Sequence, residues 1–138
     1  MSCVRRLAAP ILVVTLAIAP LLPVGSAEIQ WQKSYADAMQ QAKRSKKPVL
    51  VEFYAEWCGP CKAMAATTLK DGDVVKLSRR FVPVRIDVDR AQELAERFGV
   101  ASIPYAVVIG SDGKLIRASR GYLDAKGFCI FLKQSLPE

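Results

Sequence analysis

One six-residue run constrains this chain more than any other: Trp57-Cys58-Gly59-Pro60-Cys61-Lys62. Immediately before it, Pro48 to Ala55 is apolar and rich in β-branched and aromatic residues, the pattern of a buried strand. Immediately after it, Lys62 to Ala66 is built from good helix formers. The two cysteines therefore fall where a strand hands over to a helix. Gly59 and Pro60 suit that turn, because Pro is tolerated in the first helical turn and Gly keeps the backbone open. A helix start has unpaired N–H groups and the positive end of the macrodipole. A thiol placed there loses its proton more readily, and the thiolate is the reactive form. Cys58 is thus the candidate nucleophile. Cys61, three residues on and on the same helix face, can resolve a mixed disulfide.

The 138-residue chain is long enough for one domain and an extension, and half of its residues are apolar, enough for a real core. The extension is residues 1–27. Arg5 and Arg6 form a charged start, Leu7 to Val24 is an uncharged apolar run, and Gly25-Ser26-Ala27 ends in small residues, as an export signal cleaved after Ala27 requires. The rival reading is an uncleaved membrane anchor over residues 7–24, which approach spanning length, although Pro10, Pro20 and Pro23 weaken a continuous helix. Either way residues 28–138 form the functional domain and the expected location is exported, periplasmic or otherwise outside the cytoplasm. Of four cysteines, Cys3 lies in the leader; what remains is one close pair and the odd Cys129, which is no disulfide framework. Cys129, among Phe128, Ile130 and Phe131, reads as an inert packed thiol. The net charge is +7 and falls to +5 without the leader arginines. No basic stripe is interleaved with aromatics, so nucleic acid is not an expected partner; a solvated basic surface is the plain reading, and attraction to anionic head groups or acidic partners the milder alternative.

Beyond the leader, Ser34 to Asp37 predicts a capping box opening a helix that runs to about Lys46, its last turn crowded with cations. Trp31 reads as core, with the underside of this helix as one place for it. The cysteine-bearing helix is predicted over Cys58 to about Leu69, followed by a break at Lys70 to Asp73 and a short helix from Val74 to Arg80. Phe81 to Val88 alternates and predicts a strand, with Pro83 pointing to an edge or an irregular start. Ala91, Leu94, Ala95 and Phe98 recur at helical spacing, with Gly99 suited to the stop. Pro104 to Ile109 is a strand, Gly110 to Gly113 a hairpin turn, and Lys114 to Ser119 the antiparallel return. Asp124 caps a last helix that buries Phe128, Phe131 and Leu132. Alternating β and α elements followed by a hairpin and a helix make an α/β fold with a mixed sheet.

In its Trp-Cys-Gly-Pro-Cys-Lys run between strand and helix, and in this order of elements, the chain from about Trp31 to Leu136 resembles the thioredoxin family. The resemblance implies the thioredoxin fold, a central mixed β-sheet flanked by helices, and a redox-active Cys58–Cys61 disulfide. Val100 to Pro104 stands where the family has its cis-proline loop, and Gly121 where it has a glycine lining the substrate groove. Glu52 stands where thioredoxins carry a buried acid under the second cysteine; the alternative is an exposed strand acid, since Val51 and Phe53 share the other strand face. The groove expected from the resemblance comprises Trp57, Gly59, Pro60, Ile103, Pro104 and Gly121. A cis Ile103–Pro104 bond would turn the Ile103 backbone groups toward an extended substrate segment. Trp31, the Lys47-Pro48 strand start and Asp87-Val88-Asp89 are similar to exported thioredoxin-like domains such as the C-terminal domain of the transmembrane thiol reductant conductor. There are departures. Ala66 stands where thioredoxins usually have a helix-kinking Pro, which predicts a straighter helix; Pro83 stands where many carry a Lys near the buried acid; Tyr54 replaces a Trp.

The implied activity is thiol–disulfide exchange on exported protein substrates, with no cofactor beyond the cysteine pair, no metal and a monomeric state. Cys58 attacks, Cys61 resolves, Glu52 takes or relays the Cys61 proton, and Lys62 is either a thiolate-favouring cation or a solvated one. Gly-Pro between the cysteines is the pattern of reducing members, and a reductant in an oxidising compartment needs a membrane thiol donor. The alternatives are the oxidase or isomerase direction and a two-thiolate Cu(I) carrier; the absence of histidine and of a second cysteine pair argues against a four-ligand site.

Overall fold

The structure is a computed structural model that describes residues 27–137; the proposed leader, residues 1–27 with the apolar run 7–24, lies outside the described residues except for Ala27. Helix α1 (Tyr35–Ser45) starts on the predicted cap: the Ser34 hydroxyl accepts from the Asp37 N–H at 3.1 Å and donates to the Asp37 carboxylate at 2.7 Å. It ends at Lys46, a non-glycine residue held in the left-handed region at φ 59°. Strand β1 (Val49–Tyr54) follows, then helix α2 (Gly59–Ala66), a 3₁₀ turn (Thr68–Lys70), helix α3 (Gly72–Ser78), strand β2 (Val82–Asp87), helix α4 (Gln92–Arg97), strands β3 (Tyr105–Ile109) and β4 (Leu115–Arg120), and helix α5 (Ala125–Gln134).

The sheet order is β2-β1-β3-β4. β1 pairs in parallel with β2 and antiparallel with β3, and β4 closes the hairpin on β3. β1 is central and buried on both faces, which explains its nearly continuous apolar run. Pro83 sits in β2, at the end of the four-strand order, where a missing N–H is tolerated; Gln32 adds an isolated bridge alongside Val84.

Alternation along β1 divides the interior in two. Val49, Val51 and Phe53 pack with Ala38 and Ala42 of α1 and Ala95 of α4. Leu50 packs with Met64 of α2, Val74 and Val75 of α3, and Phe128, Phe131 and Leu132 of α5. Trp31 is half-buried against this second core, on the α2 side, and also borders a depression with Gln40, Gln41 and Arg44 of α1. The expected apolar positions of α4 do face the first core, and Gly99 supplies its stop at φ 61°.

The predicted straight helix from Cys58 to Leu69 is broken. α2 ends at Ala66, and Thr67 departs from helical geometry at φ −119° and ψ −75°. The cause is side-chain hydrogen bonding. Thr67 Oγ1 donates to the Ala63 carbonyl at 2.8 Å, while buried Thr68 donates to the Leu123 carbonyl, 55 residues away, also at 2.8 Å. Threonine hydroxyls of this kind bend helices without a proline.

Candidate active site

The cysteine pair occupies the predicted junction. Cys58 is the N-cap of α2, with extended backbone, and Pro60 lies in the first turn. Cys58 Sγ accepts a hydrogen bond from the Cys61 backbone N–H at 3.2 Å, one of the donors a helix start leaves unpaired. Cys58 and Cys61 form a disulfide with their Cα atoms 5.3 Å apart. Both are buried, 3% and 1% exposed, and rest on Ala55 with Val88 and Ile103 beside them. A backbone N–H aimed at Cys58 Sγ from the positive end of a helix stabilises negative charge on that sulphur once the bond is opened.

The residues named for the groove gather around this pair. Trp57 is 69% exposed, and its indole N–H donates to Asp89 at 2.9 Å, which fixes the ring beside the cysteines. Gly59 and Pro60 are exposed on the same turn. The Ile103–Pro104 bond is cis. Gly121, at φ 84°, donates its N–H to the Pro104 carbonyl at 2.8 Å and so ties the end of β4 to the proline loop. A side chain at Gly121 would be strained by that backbone geometry.

Glu52 is completely buried, which removes the exposed-acid alternative. It shares the sheet face of Leu50, the face covered by α2. One carboxylate oxygen pairs with Arg85 Nε; the other, Oε1, has no partner. Burial raises the Glu52 pKa, and the hydrogen bond and charge of Arg85 oppose that rise. The expectation that Pro83 occupies the cation position, leaving the acid without one, is corrected here. Pro83 pairs with Leu50 in the register, and Arg85, two residues on, stands directly opposite Glu52. The guanidinium lies 4.1 Å from the centroid of the Tyr54 ring and 5.7 Å from that of Trp31. Arg85 is a quarter exposed and reaches the surface in a depression it shares with Trp31, Lys62, Ala65 and Leu69.

Two contributors were missed by reading the sequence, Arg85 and Asp89. The signal for Arg85 was a charged residue in an apolar strand whose partner strand carries one acid; only the register assigns the pair. Asp89 stood in the Asp87-Val88-Asp89 stretch, but nothing local ties it to Trp57, 32 residues away. Cys129 is half-buried and packs against the α2-side core; burial together with Asp71 and Asp73 pushes its thiol pKa up, with Lys133 opposing, so it stays protonated more readily than a free thiol. Among the described residues no group of three or more His, Cys, Asp or Glu side chains converges in metal-binding geometry.

A vicinal disulfide-forming pair at the start of a helix, rising from the end of a central buried strand, defines the class of thiol–disulfide oxidoreductases. The comparisons agree. The family model described as thioredoxin-like matches residues 30–111. Thioredoxin from Bacillus subtilis (strain 168) is 41% identical over 86 residues, 62% of this chain and 80% of its own length. The C-terminal domain of Neisseria meningitidis DsbD in the reduced form superposes with a TM-score of 0.65 at 32% identity, covering 73% of this chain and 93% of that one. A thioredoxin from Thermus thermophilus gives a TM-score of 0.70 at 29% identity over 78% of this chain and 86% of its own. The chain belongs to the thioredoxin family and is a thiol–disulfide oxidoreductase with Cys58 and Cys61 as its redox pair.

Proposed function

We propose that the protein reduces disulfides of exported proteins. The observation that carries the mechanism is the asymmetry of the pair: Cys58 caps the helix and its Sγ accepts the Cys61 N–H, while Cys61 lies inside the first turn of α2. In the reduced enzyme the Cys58 thiolate attacks one sulphur of a substrate disulfide, forms a mixed disulfide and releases the other substrate sulphur as a thiolate. Cys61 gives up its proton, and its thiolate attacks Cys58 Sγ, freeing the second substrate thiolate and closing the Cys58–Cys61 disulfide. Two electrons pass to the substrate, and no cofactor is required. Glu52 is the acceptor for the Cys61 proton, directly or through water, since a carboxylate with raised proton affinity and a free oxygen on the α2 side is suited to that transfer. Trp57, Gly59, Pro60, Ile103, Pro104 and Gly121 form the surface on which the substrate segment lies.

Three features support an exported reductant: the charged start and apolar run of residues 1–27, Gly-Pro between the cysteines, and likeness to a DsbD C-terminal domain. Among the described residues no helix is long and apolar enough to cross a membrane. The oxidised pair is returned to the dithiol by a membrane thiol donor, because an oxidising compartment supplies none. The domain works as a monomer on protein thiols and disulfides and takes no nucleic acid.

The test is capture. The Cys61→Ser variant should accumulate mixed disulfides between Cys58 and its clients in cells, reversible by dithiothreitol, and Cys58→Ser should accumulate none. Equal capture by both variants, or a Cys58–Cys61 pair that remains reduced after the membrane donor is deleted, would contradict the mechanism or the route respectively.

A further inference from the structure

The cations that close two of the helices gather at one end of the sheet. β1 and β2 run in parallel, and both finish at the end that carries the cysteines. α1 ends just before β1 begins, and α3 just before β2 begins, so their last turns lie at the opposite end. A six-residue strand separates the two ends by about 20 Å. The far end carries Lys43, Arg44, Lys46 and Lys47 from the close of α1, and Lys76 and Arg80 from the close of α3; all six are exposed. The two groups meet, since Lys47 Nζ donates to the Arg79 carbonyl at 2.8 Å. The acids nearby are fewer than the cations: Asp37 borders a depression with Arg44, Asp71 and Asp73 border one with Lys76 and Arg80, Glu28 borders one with Lys47, and Asp112 has Lys114 Nζ 3.8 Å away. Glu56, Asp87 and Asp89 lie at the cysteine end instead.

A second observation falls on the same place. The chain enters the domain at this basic end. Ile29 is buried in the core, Glu28 and Gln30 border a depression with Lys47, Phe81 and Pro83, and the Gln32 N–H donates to the Pro83 carbonyl at 2.8 Å. The residues preceding that point in the sequence are the uncharged apolar run 7–24.

We propose that the end bearing Lys43, Arg44, Lys46, Lys47, Lys76 and Arg80 docks on an anionic lipid leaflet and holds Cys58 and Cys61 on the side facing water. Each cation close to such a leaflet strengthens association about five-fold. The attraction decays over a Debye length of about 8 Å at physiological salt, so cations at the cysteine end, about 20 Å farther out, contribute little. Docking of this kind operates whether residues 1–27 are kept or removed, and it is independent of the direction of electron flow. It also restricts the electron donor: a membrane protein that exchanges thiols with this domain must do so through a part that projects past the height of the sheet.

Lysine acylation read by mass spectrometry tests this on the protein as purified from cells. It is mixed with vesicles of phosphatidylcholine alone or of phosphatidylcholine with phosphatidylglycerol. Labelling of Lys46, Lys47 and Lys76 should fall at least about three-fold on the anionic vesicles only, recover at high salt, and leave Lys62 beside the cysteines unchanged. A Lys43→Gln/Arg44→Gln/Lys76→Gln variant should lose the protection of Lys46 and Lys47 while reducing a soluble disulfide at the parent rate, which separates failure of docking from failure of the exchange chemistry. Equal labelling on both vesicle types, or protection centred on Lys62, would overturn the proposal. So would protection by an acidic protein but by no vesicle.

Discussion

At the scale of single residues the site turns on Glu52 and Arg85. A fully buried carboxylate with one oxygen on a guanidinium and the other unpartnered has its proton affinity raised by burial, and Arg85 only partly offsets that. The native state therefore binds more protons than the unfolded chain from about pH 4.3, the ordinary glutamate value, up to the folded value. The stability that protonated Glu52 contributes is complete below that window and is lost as pH rises through it. Glu52→Gln cannot titrate, so thermal unfolding across a pH series should show the gap between variant and parent moving in the variant's favour from acid to neutral pH. A gap constant with pH would mean that Glu52 is not shifted. Arg85→Met removes the compensating cation. Breaking such a pair costs about 3 kcal/mol at neutral pH, and the pH profile of disulfide reduction should move to higher pH, with Arg85→Lys restoring part of the shift. Arg85 was not legible in the sequence, because its role comes from the β1–β2 register. A register offset of two residues separates Pro83, the expected occupant, from the residue that actually faces the acid. The cysteines were legible because their chemistry follows from local placement at a strand-to-helix junction.

The elements were largely readable from the chain, and their edges were not. β1 and β3 appeared as apolar runs because β3 is buried throughout and β1 up to its last residue, Tyr54, and α1 and α5 announced themselves through Ser34 and Asp124. The break after α2 was invisible, since Thr67 and Thr68 stop the helix through hydroxyl contacts, one of them to Leu123 in a distant segment. Thr68→Val should leave the Leu123 carbonyl without its donor and cost about 1 kcal/mol in denaturant unfolding. At the other side of the same core, the Asp124 side chain accepts from the Gly127 N–H at 2.7 Å. Asp124→Ala should cost about 1 kcal/mol and loosen α5, read as faster amide exchange in residues 125–128, without altering the exchange chemistry of the cysteines. An unchanged stability in either variant would mean that these contacts do not set the helix ends.

For the molecule as a whole, the division of labour follows the sheet axis. One end presents Cys58, Cys61, exposed Trp57 and the cis-proline loop; the other gathers the closing cations of α1 and α3. The family and its class of chemistry rest on the fold and the pair; direction rests on the energetics of that pair. The most direct measurement is the equilibrium of Cys58–Cys61 with glutathione, using the full chain with Cys3 and Cys129 replaced by serine so that only one couple titrates. A reversible two-electron couple near about −270 mV is predicted for a reductase that depends on a donor. A couple near about −120 mV would contradict the reducing role and make the protein an oxidant.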